Sequence, residues 1–182
     1  MGTPKTIGSG QLHAAIERLA EGILARHARP AELILLGIAN GGIELARRLG
    51  RRIGAKRVGT IDISFHRDDI GRNPIPKEFV PTQIPGDVDG ATVILVDDVL
   101  FSGRTVKAAL DELFDHGRPA KVELAVLADR GGRMLPLAAD YTGLEIDVAA
   151  EEKVSVTLDP ADSDRDGLRV APAKKTAAAN QS

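Results

Sequence analysis

Residues 93–105 read Val-Ile-Leu-Val-Asp-Asp-Val-Leu-Phe-Ser-Gly-Arg-Thr, and this stretch decides the fold class. Its four apolar residues, Val93 to Val96, are typical of a strand that is buried on both faces of a parallel sheet. Asp97 and Asp98 follow at the end of the strand, where open α/β sheets bind ligands, and we expect both carboxylates to meet solvent. The turn from Ser102 to Thr105 then leads into a helix, and a helix N-terminus is suited to bind a phosphate.

The segments on either side of this stretch alternate between helical and strand patterns. Apolar residues with helical spacing predict one long amphipathic helix whose inward positions are Leu12, Ile16, Leu19, Ile23 and Leu24. The predicted helices cover residues 11–29, 43–52 and 105–116, and the predicted strands cover 33–38, 57–64, 92–96 and 121–127. Apolar residues at every second position from Lys153 to Leu158 predict a terminal edge strand. This alternation predicts an α/β fold with a mainly parallel sheet flanked by helices.

Two segments depart from the alternation. Residues 65–90 are rich in Pro, Asp and basic residues without clear periodicity, and they predict a long excursion or hairpin. Residues 171–182 are small, polar and Ala-rich, so we expect them to be disordered. A chain of 182 residues can bury one core of ordinary size, and we therefore expect a single domain over residues 1–170.

Composition excludes several classes of site. The 24 basic and 26 acidic residues nearly balance, so any RNA-binding surface must be regional. The chain has no cysteine, which excludes disulfides, thiolate zinc sites and thiol nucleophiles. The four histidines lack the short spacing of a preformed metal site. No stretch approaches the roughly 20 apolar residues of a membrane span, and we expect a cytoplasmic protein without a membrane partner.

The acidic pair beside a predicted phosphate site indicates a sugar phosphate. Two carboxylates would repel a bare phosphate, whereas the hydroxyls of a ribose can donate to them while its phosphate lies at the helix start. Gly103 permits a close backbone approach, and the hydroxyls of Ser102 and Thr105 can add hydrogen bonds. Asp-Asp alone would more often be a pair of solvated acids in an ordinary strand-to-helix connection. The whole thirteen-residue run favours the functional interpretation.

Residues 93–105 resemble the motif with which type I phosphoribosyltransferases bind 5-phosphoribosyl-1-pyrophosphate (PRPP). The aromatic Phe101 and the continuation to Leu113 resemble the PyrR family, which attenuates transcription of pyrimidine operons and has uracil phosphoribosyltransferase activity. Other stretches that resemble this family are residues 66–70, 125–133, 135–136, 139–143, 151–156 and 164–167. The resemblance spans roughly residues 11 to 170. It implies the type I phosphoribosyltransferase fold, in which residues 65–90 form a flexible hood.

The resemblance also implies a reaction and a set of residues. PRPP and uracil would give UMP and pyrophosphate with Mg²⁺ as cofactor. Asp97 and Asp98 would be the catalytic acids, holding the ribose hydroxyls directly or through Mg²⁺, which they would contact via ligand or water. Asp98 is the candidate base for the N1 proton of uracil. The implied PRPP-binding residues are Asn40, Gly41, Lys77, Asp97, Asp98, Val99, Leu100, Phe101, Ser102, Gly103, Arg104 and Thr105.

The loop after the first buried strand departs from the family pattern. Asn40-Gly41 stands where the family usually has Thr-Arg in its pyrophosphate-binding loop, which often contains a cis peptide. The missing guanidinium predicts weaker PRPP affinity or replacement by another basic residue. Lys77, in the hood, occupies the place of a substrate-contacting arginine of the family. For Asn40-Gly41 an ordinary tight turn remains the other interpretation.

The implied base-binding residues are Asp129 and Arg130, which would wall the uracil, and Val154, which would be an apolar neighbour. The family usually has His where Gly132 stands and Glu where Met134 stands, so the base preference stays open. A transferase for another nucleobase, such as a purine, is one alternative.

The other alternative is a UMP-sensing protein that binds a hairpin of pyr mRNA and has little catalysis. Relatives bind this RNA on a basic face of the dimer, and the first helix here is less basic than theirs. Arg47, Arg48, Arg51 and Arg52 cluster on the second helix, where a solvated helix face is the simpler interpretation. The expected partners are PRPP, uracil and UMP, with a homodimer or homotetramer as the assembly.

Overall fold

The computed structural model describes residues 5–64 and 80–172. Its centre is a sheet of five parallel strands. Its strands are β2 (Ile34–Ile38), β3 (Arg57–Ile61), β4 (Thr92–Leu100), β5 (Lys121–Asp129) and β6 (Tyr141–Glu145). They lie in the order β3-β2-β4-β5-β6. The predicted α/β fold with a mainly parallel sheet is confirmed. The four strands predicted for this sheet are present, and β6 was not predicted.

Helices cover both faces of this sheet. Helices α1 (Ser9–Arg26) and α2 (Gly42–Ile53) pack on one face, and α3 (Arg104–Asp115) packs on the other. Alternate residues of the strands divide between the two layers, so that Leu35 faces α1 and α2 whereas Leu36 faces α3. The inward position assigned to Leu24 was wrong, because its side of α1 points away from the sheet and 44% of the residue is exposed. In the described part of the chain, no helix is long and apolar enough to cross a membrane.

A second, antiparallel sheet of three strands packs beside the first. It consists of β1 (Lys5–Gly8), β8 (Gly167–Pro172) and β7 (Glu152–Thr157), with β8 in the middle. The predicted strand over 153–158 is therefore an edge strand, but it belongs to this smaller sheet. Val154 pairs with Val170 and both side chains are buried against the core below α1. Strand β8 extends to Pro172, whereas residues 173–182 and 65–79 lie outside the described residues.

Strand β4 is longer than its apolar run predicts. It pairs with β2 as far as Val96 and with β5 as far as Leu100, so both aspartates are part of the strand. Backbone hydrogen bonds to β5 continue because they do not require apolar side chains. The acids are thus held in a regular ladder.

A buried polar cluster joins α1 to β5 and β6 at the opposite end of the sheet. Glu123 is 1% exposed, and one of its carboxylate oxygens lies 2.7 Å from both His27 Nε2 and the Tyr141 hydroxyl. Lys121 Nζ lies 2.5 Å from the other oxygen. Burial alone would raise the pKa of Glu123, but these hydrogen bonds and the charge of His27 lower the pKa to about 2. The side chains around Glu123 therefore keep this buried carboxylate ionised.

A second buried ion pair connects α2 with the turn before β8. The Arg48 guanidinium donates to both carboxylate oxygens of Asp166 and to Glu44 Oε1, the last at 2.9 Å. Asp166 also accepts the backbone N–H of Asp159 at 2.9 Å, and His13 Nε2 lies 2.9 Å from it. Arg48 is therefore not on the solvated face expected for the arginines of this helix.

Candidate active site

The site lies at the carboxyl ends of the parallel strands β2 and β4, where the order in which the chain adds strands to the sheet reverses. From β2 the chain moves outward to β3 and then returns across β2 to β4, which opens a crevice between their ends. The connection from β2 to α2 borders this crevice and contains a cis peptide between Ala39 and Asn40. The cis peptide implied by the family resemblance is thus present, one residue before Gly41.

Glycines allow this connection to lie directly against β4. A Cβ on Gly41 would come within 2.5–2.6 Å of the carboxylate atoms of Asp98, which no real Cβ approaches. A Cβ on Gly42 would collide with the carbonyl of Val96. A larger residue at position 42 would push the loop away from the strand, whereas one at position 41 would require the Asp98 carboxylate to move, so Gly42 in particular allows the loop to lie beside the acidic pair.

The two adjacent carboxylates differ in their surroundings. Asp97 is only 5% exposed, so the expectation that both acids meet solvent was wrong for this residue, whose strand continues into the sheet. Burial and the neighbouring charge of Asp98 raise the pKa of Asp97 well above its ordinary value. Burial also raises the pKa of Asp98, against opposing backbone hydrogen bonds. The site therefore holds two carboxylates at a cost, which is typical of functional groups.

The phosphate loop, residues 101–105, turns from β4 into α3. Gly103 has φ +90°, a left-handed conformation that favours glycine, and it immediately precedes the first turn of α3. Arg104 and Thr105 are exposed at this helix start. The loop thus leads directly into a helix N-terminus, and its role as a phosphate site stays a prediction.

The base loop, residues 129–134, follows β5 and lies against the phosphate loop. The Arg130 guanidinium stacks 4.1 Å from the centre of the Phe101 ring and donates from Nη1 to the carbonyl of Glu152 at 2.7 Å. Gly132 has φ +72°, and a Cβ there would meet the Phe101 ring at 2.6 Å. The base loop thus contacts the Phe101 ring, although 39% of this residue remains exposed. The side chain predicted to contact ligand, Arg130, is held by main-chain oxygens and an aromatic ring.

The other predicted base-binding residues lie near this loop in different roles. The Asp129 carboxylate accepts the backbone N–H of Gly131 at 2.8 Å and pairs with Arg133. Together with Arg130 and Gly131 it borders an open cleft of about 560 Å³, whose other wall is formed by residues 145–147. Val154 is buried in the core.

The structure brings most of the predicted site together. The Asn40-Gly41 loop meets Asp98, and Phe101 of the phosphate loop meets Arg130 of the base loop. Lys77 lies outside the described residues. No role was predicted for Arg133, although it lies inside one of the stretches that resemble the family. Its contacts join loops that are distant in sequence, which a local pattern does not reveal.

Comparisons with known proteins identify the family of the chain. Residues 8–160 match the family model described as phosphoribosyl transferase domain. The chain is 41% identical over 174 residues to bifunctional protein PyrR of Roseiflexus sp. (strain RS-1), covering 92% of this chain and 94% of the relative. It is 48% identical over 153 residues to bifunctional protein PyrR of Corynebacterium glutamicum, covering 79% of each chain.

Solved structures share the fold. A hypoxanthine-guanine phosphoribosyltransferase from Bacillus anthracis superposes with a TM-score of 0.61 at 25% identity, covering 78% of this chain and 80% of that one. A hypoxanthine phosphoribosyltransferase from Trypanosoma cruzi is 21% identical and gives a TM-score of 0.66, covering 92% and 91%. The fold implied by the resemblance is confirmed. With its acidic pair, phosphate loop and relatives of high identity along most of its length, the chain belongs to the PyrR family of phosphoribosyltransferases.

Proposed function

We propose that the protein transfers the phosphoribosyl group of PRPP to uracil, giving UMP and pyrophosphate. One observation carries the proposal: the connection after β2 lies against Asp98 of β4, and the phosphate loop begins three residues later, directly after the end of β4. Groups suited to pyrophosphate, ribose and 5′-phosphate therefore surround one crevice. The relatives named bifunctional protein PyrR support uracil as the acceptor.

The reaction is a substitution at the anomeric carbon of the ribose. The bond from this carbon to the pyrophosphate oxygen breaks, and its electron pair leaves with pyrophosphate. N1 of uracil forms the new bond to carbon and loses its proton. The ribose becomes electron-poor in between, so carboxylates near its hydroxyls stabilise the positive charge that develops. Asp97 and Asp98 take this role, and the raised pKa of Asp98 makes it a better acceptor for the N1 proton.

Magnesium fits the acidic pair when the substrate supplies most of its ligands. Among the described residues, no group of three or more acids or histidines could hold a metal ion by itself. Mg²⁺ commonly binds one or two carboxylates together with substrate phosphates and water. Asp97 and Asp98 would hold it directly or through water. When bound, it would neutralise charge on the leaving pyrophosphate.

The test is product formation from PRPP and Mg²⁺ with separate reactions containing uracil, orotate, adenine, hypoxanthine and guanine. We expect UMP from uracil and no nucleotide from the other bases. Turnover of a purine without turnover of uracil would overturn the base assignment. Purine transferases among the proteins of similar structure make this comparison necessary.

A matched pair of variants tests the acids. Asp98→Asn removes the charge that faces the Gly41 loop. We expect the rate of UMP formation to fall at least about 100-fold, while the variant stays folded and still unfolds cooperatively on heating. Asp164→Asn changes an exposed acid on the small-sheet side of the molecule and should leave the rate unchanged. A wild-type rate in the Asp98→Asn variant would refute the role of the acidic pair.

Binding of a pyr mRNA hairpin is a second candidate function, and the word bifunctional in the relatives' names supports it. The charged side chains of the described residues give RNA binding less support. Arg48 is buried on Asp166, and Arg52 lies 2.5 Å from Glu17. Arg47 and Arg51 lie 3.9 and 3.6 Å from Glu44, so all four clustered arginines have acidic partners. The exposed face of α1 carries Glu17 and Glu21 beside Arg18. RNA binding that is insensitive to UMP and to hairpin sequence would argue against attenuation.

Location and assembly complete the proposal. A cytoplasmic location and a homodimer or homotetramer stay predictions, as do the hood over residues 65–90 and a PRPP contact by Lys77. Sedimentation of the purified protein with and without UMP measures the assembly. A monomer at micromolar concentration in both conditions would contradict it.

A further inference from the structure

The side chain of Arg133 lies between the phosphate loop and the base loop. Its Nη1 donates to the Phe101 carbonyl at 2.8 Å and is 3.4 Å from the Leu100 carbonyl, both at the end of β4. Its Nε donates to the Leu137 carbonyl at 3.1 Å, and its Nη2 pairs with the Asp129 carboxylate. The side chain is 23% exposed. One guanidinium thus joins three segments of the chain.

Main-chain hydrogen bonds connect the same two loops at both ends. The Arg130 N–H donates to the Leu100 carbonyl at 3.1 Å, and the N–H groups of Met134 and Leu135 donate to the Ser102 carbonyl at 3.0 and 3.1 Å. Arg133 occupies the interval between these anchors. Without it, the middle of the base loop would be tied to the phosphate loop mainly through the Arg130–Phe101 stack.

We infer that Arg133 is a positioning residue that fixes the base loop relative to the phosphate loop. The inference rests on the proposed function, in which the phosphate loop holds the ribose phosphate and the base loop faces the nucleobase. The bond that forms joins an atom held by one loop to an atom held by the other. A small displacement between the loops therefore lowers the rate strongly, although Arg133 itself contacts neither substrate.

Arg133 has to be an arginine because its hydrogen bonds point in several directions, toward three segments of the chain. A planar guanidinium offers five N–H donors in a fixed fork, whereas an ammonium group concentrates its charge at one point. Arg133→Lys keeps the charge and can satisfy Asp129 or the β4 carbonyls, but it cannot reach all three segments together. The variant should loosen the loops while the strands remain intact.

Arg118 offers a matched control. Its guanidinium also donates to main-chain carbonyls, those of Phe114 and Gly117, and it lies 5.5 Å from the centre of the Phe114 ring. It precedes β5, at the end of the sheet opposite to the acidic pair. Arg118→Lys therefore makes the same chemical change in a similar setting away from the crevice.

The experiment compares two ligands by isothermal titration calorimetry. Ribose 5-phosphate needs only the phosphate half of the site, whereas UMP needs both halves. We expect Arg133→Lys to weaken the binding of UMP at least tenfold and the binding of ribose 5-phosphate less than twofold. The variant should also lower kcat at least tenfold. Arg118→Lys should change none of these values. This split between the ligands is not expected from a general loss of stability.

Three results would overturn the inference. Equal weakening of both ligands would indicate a merely structural role, and unchanged binding of UMP would show that the loops do not need Arg133. Failure of the wild type to bind either ligand would reject the proposed function and the inference with it. If Arg133→Lys did not fold, Arg133→Gln would be measured instead, because its amide can still donate to the Phe101 carbonyl.

Discussion

Asp97 is the residue whose environment is least favourable for its charge. Burial and the adjacent charge of Asp98 raise its pKa well above the ordinary value. The folded protein therefore binds a proton on this carboxyl more readily than the unfolded chain does, and stability declines as the pH rises through the folded pKa. At neutral pH the protein keeps this acid for chemistry at the expense of stability.

Replacing Asp97 by Asn should separate these two effects. The Asn oxygen can still accept the N–H of Asp98, which donates to Asp97 at 2.9 Å, but the buried charge is gone. We expect a gain of about 1 kcal/mol at pH 8, or about 2–4 °C in Tm, together with a loss of at least about tenfold in UMP formation. Calorimetry at several pH values measures the gain, which should shrink as the pH falls through the raised pKa of Asp97 and be absent below its ordinary pKa of 3.8. A lower Tm at pH 8 than that of the wild type would contradict this account.

Single residues also show how far local sequence patterns can predict the site. The motif predicts the position of both acids and of Gly103 at the start of α3, because apolar runs and helix starts are local features. It does not predict the burial of Asp97, since the ladder between β4 and β5 depends on a strand that follows much later in the chain. The same limit hides the contact of Gly132 with Phe101.

The helices and strands of the main sheet follow from periodicity, except for β6. Strand β6 has only two strongly buried residues, Tyr141 and Gly143, and lies at the sheet edge, so its apolar signal is weak. Strands β1 and β8 pair with each other across almost the whole chain. Nothing in a short window of sequence reports such a pairing, and for this reason the second sheet was not predicted.

The polar cluster around Glu123 predicts how α1, β5 and β6 respond to acid. The pKa of about 2 lies below the ordinary 4.5, so the stability that this group contributes is present above pH 4.5 and is lost as the pH falls from there towards 2. Glu123→Gln should lower Tm at pH 7 and flatten its decline in that window. Glu151→Gln, an exposed acid, is the control. Parallel slopes for wild type and Glu123→Gln would show that the cluster does not drive acid unfolding.

At the scale of the whole molecule, the Arg48–Asp166 pair connects the layer of α2 with the small sheet. Removing one member of a buried pair leaves the other charge without compensation, which commonly costs about 3–5 kcal/mol. We expect Asp166→Ala to destabilise the protein by this amount in urea unfolding. Adding Arg48→Met should recover part of the loss, because it removes a buried guanidinium whose remaining acidic partner is Glu44. Additive losses in the double variant would show that the two side chains act independently.

The continuation of β4 through Leu100 restricts how this segment can change in evolution or by engineering. Successive residues of a strand face opposite sides, so Asp98 faces the Gly41 loop only while the count from Val96 onward is kept. Inserting or deleting one residue between Val96 and Asp98 would turn Asp98 to the other side of the strand, and the same change between Asp98 and Ser102 would shift the start of α3 relative to the acids. Substitutions here alter one group at a time, whereas a change of length would rearrange the whole site. Length is thus the least adjustable property of the segment.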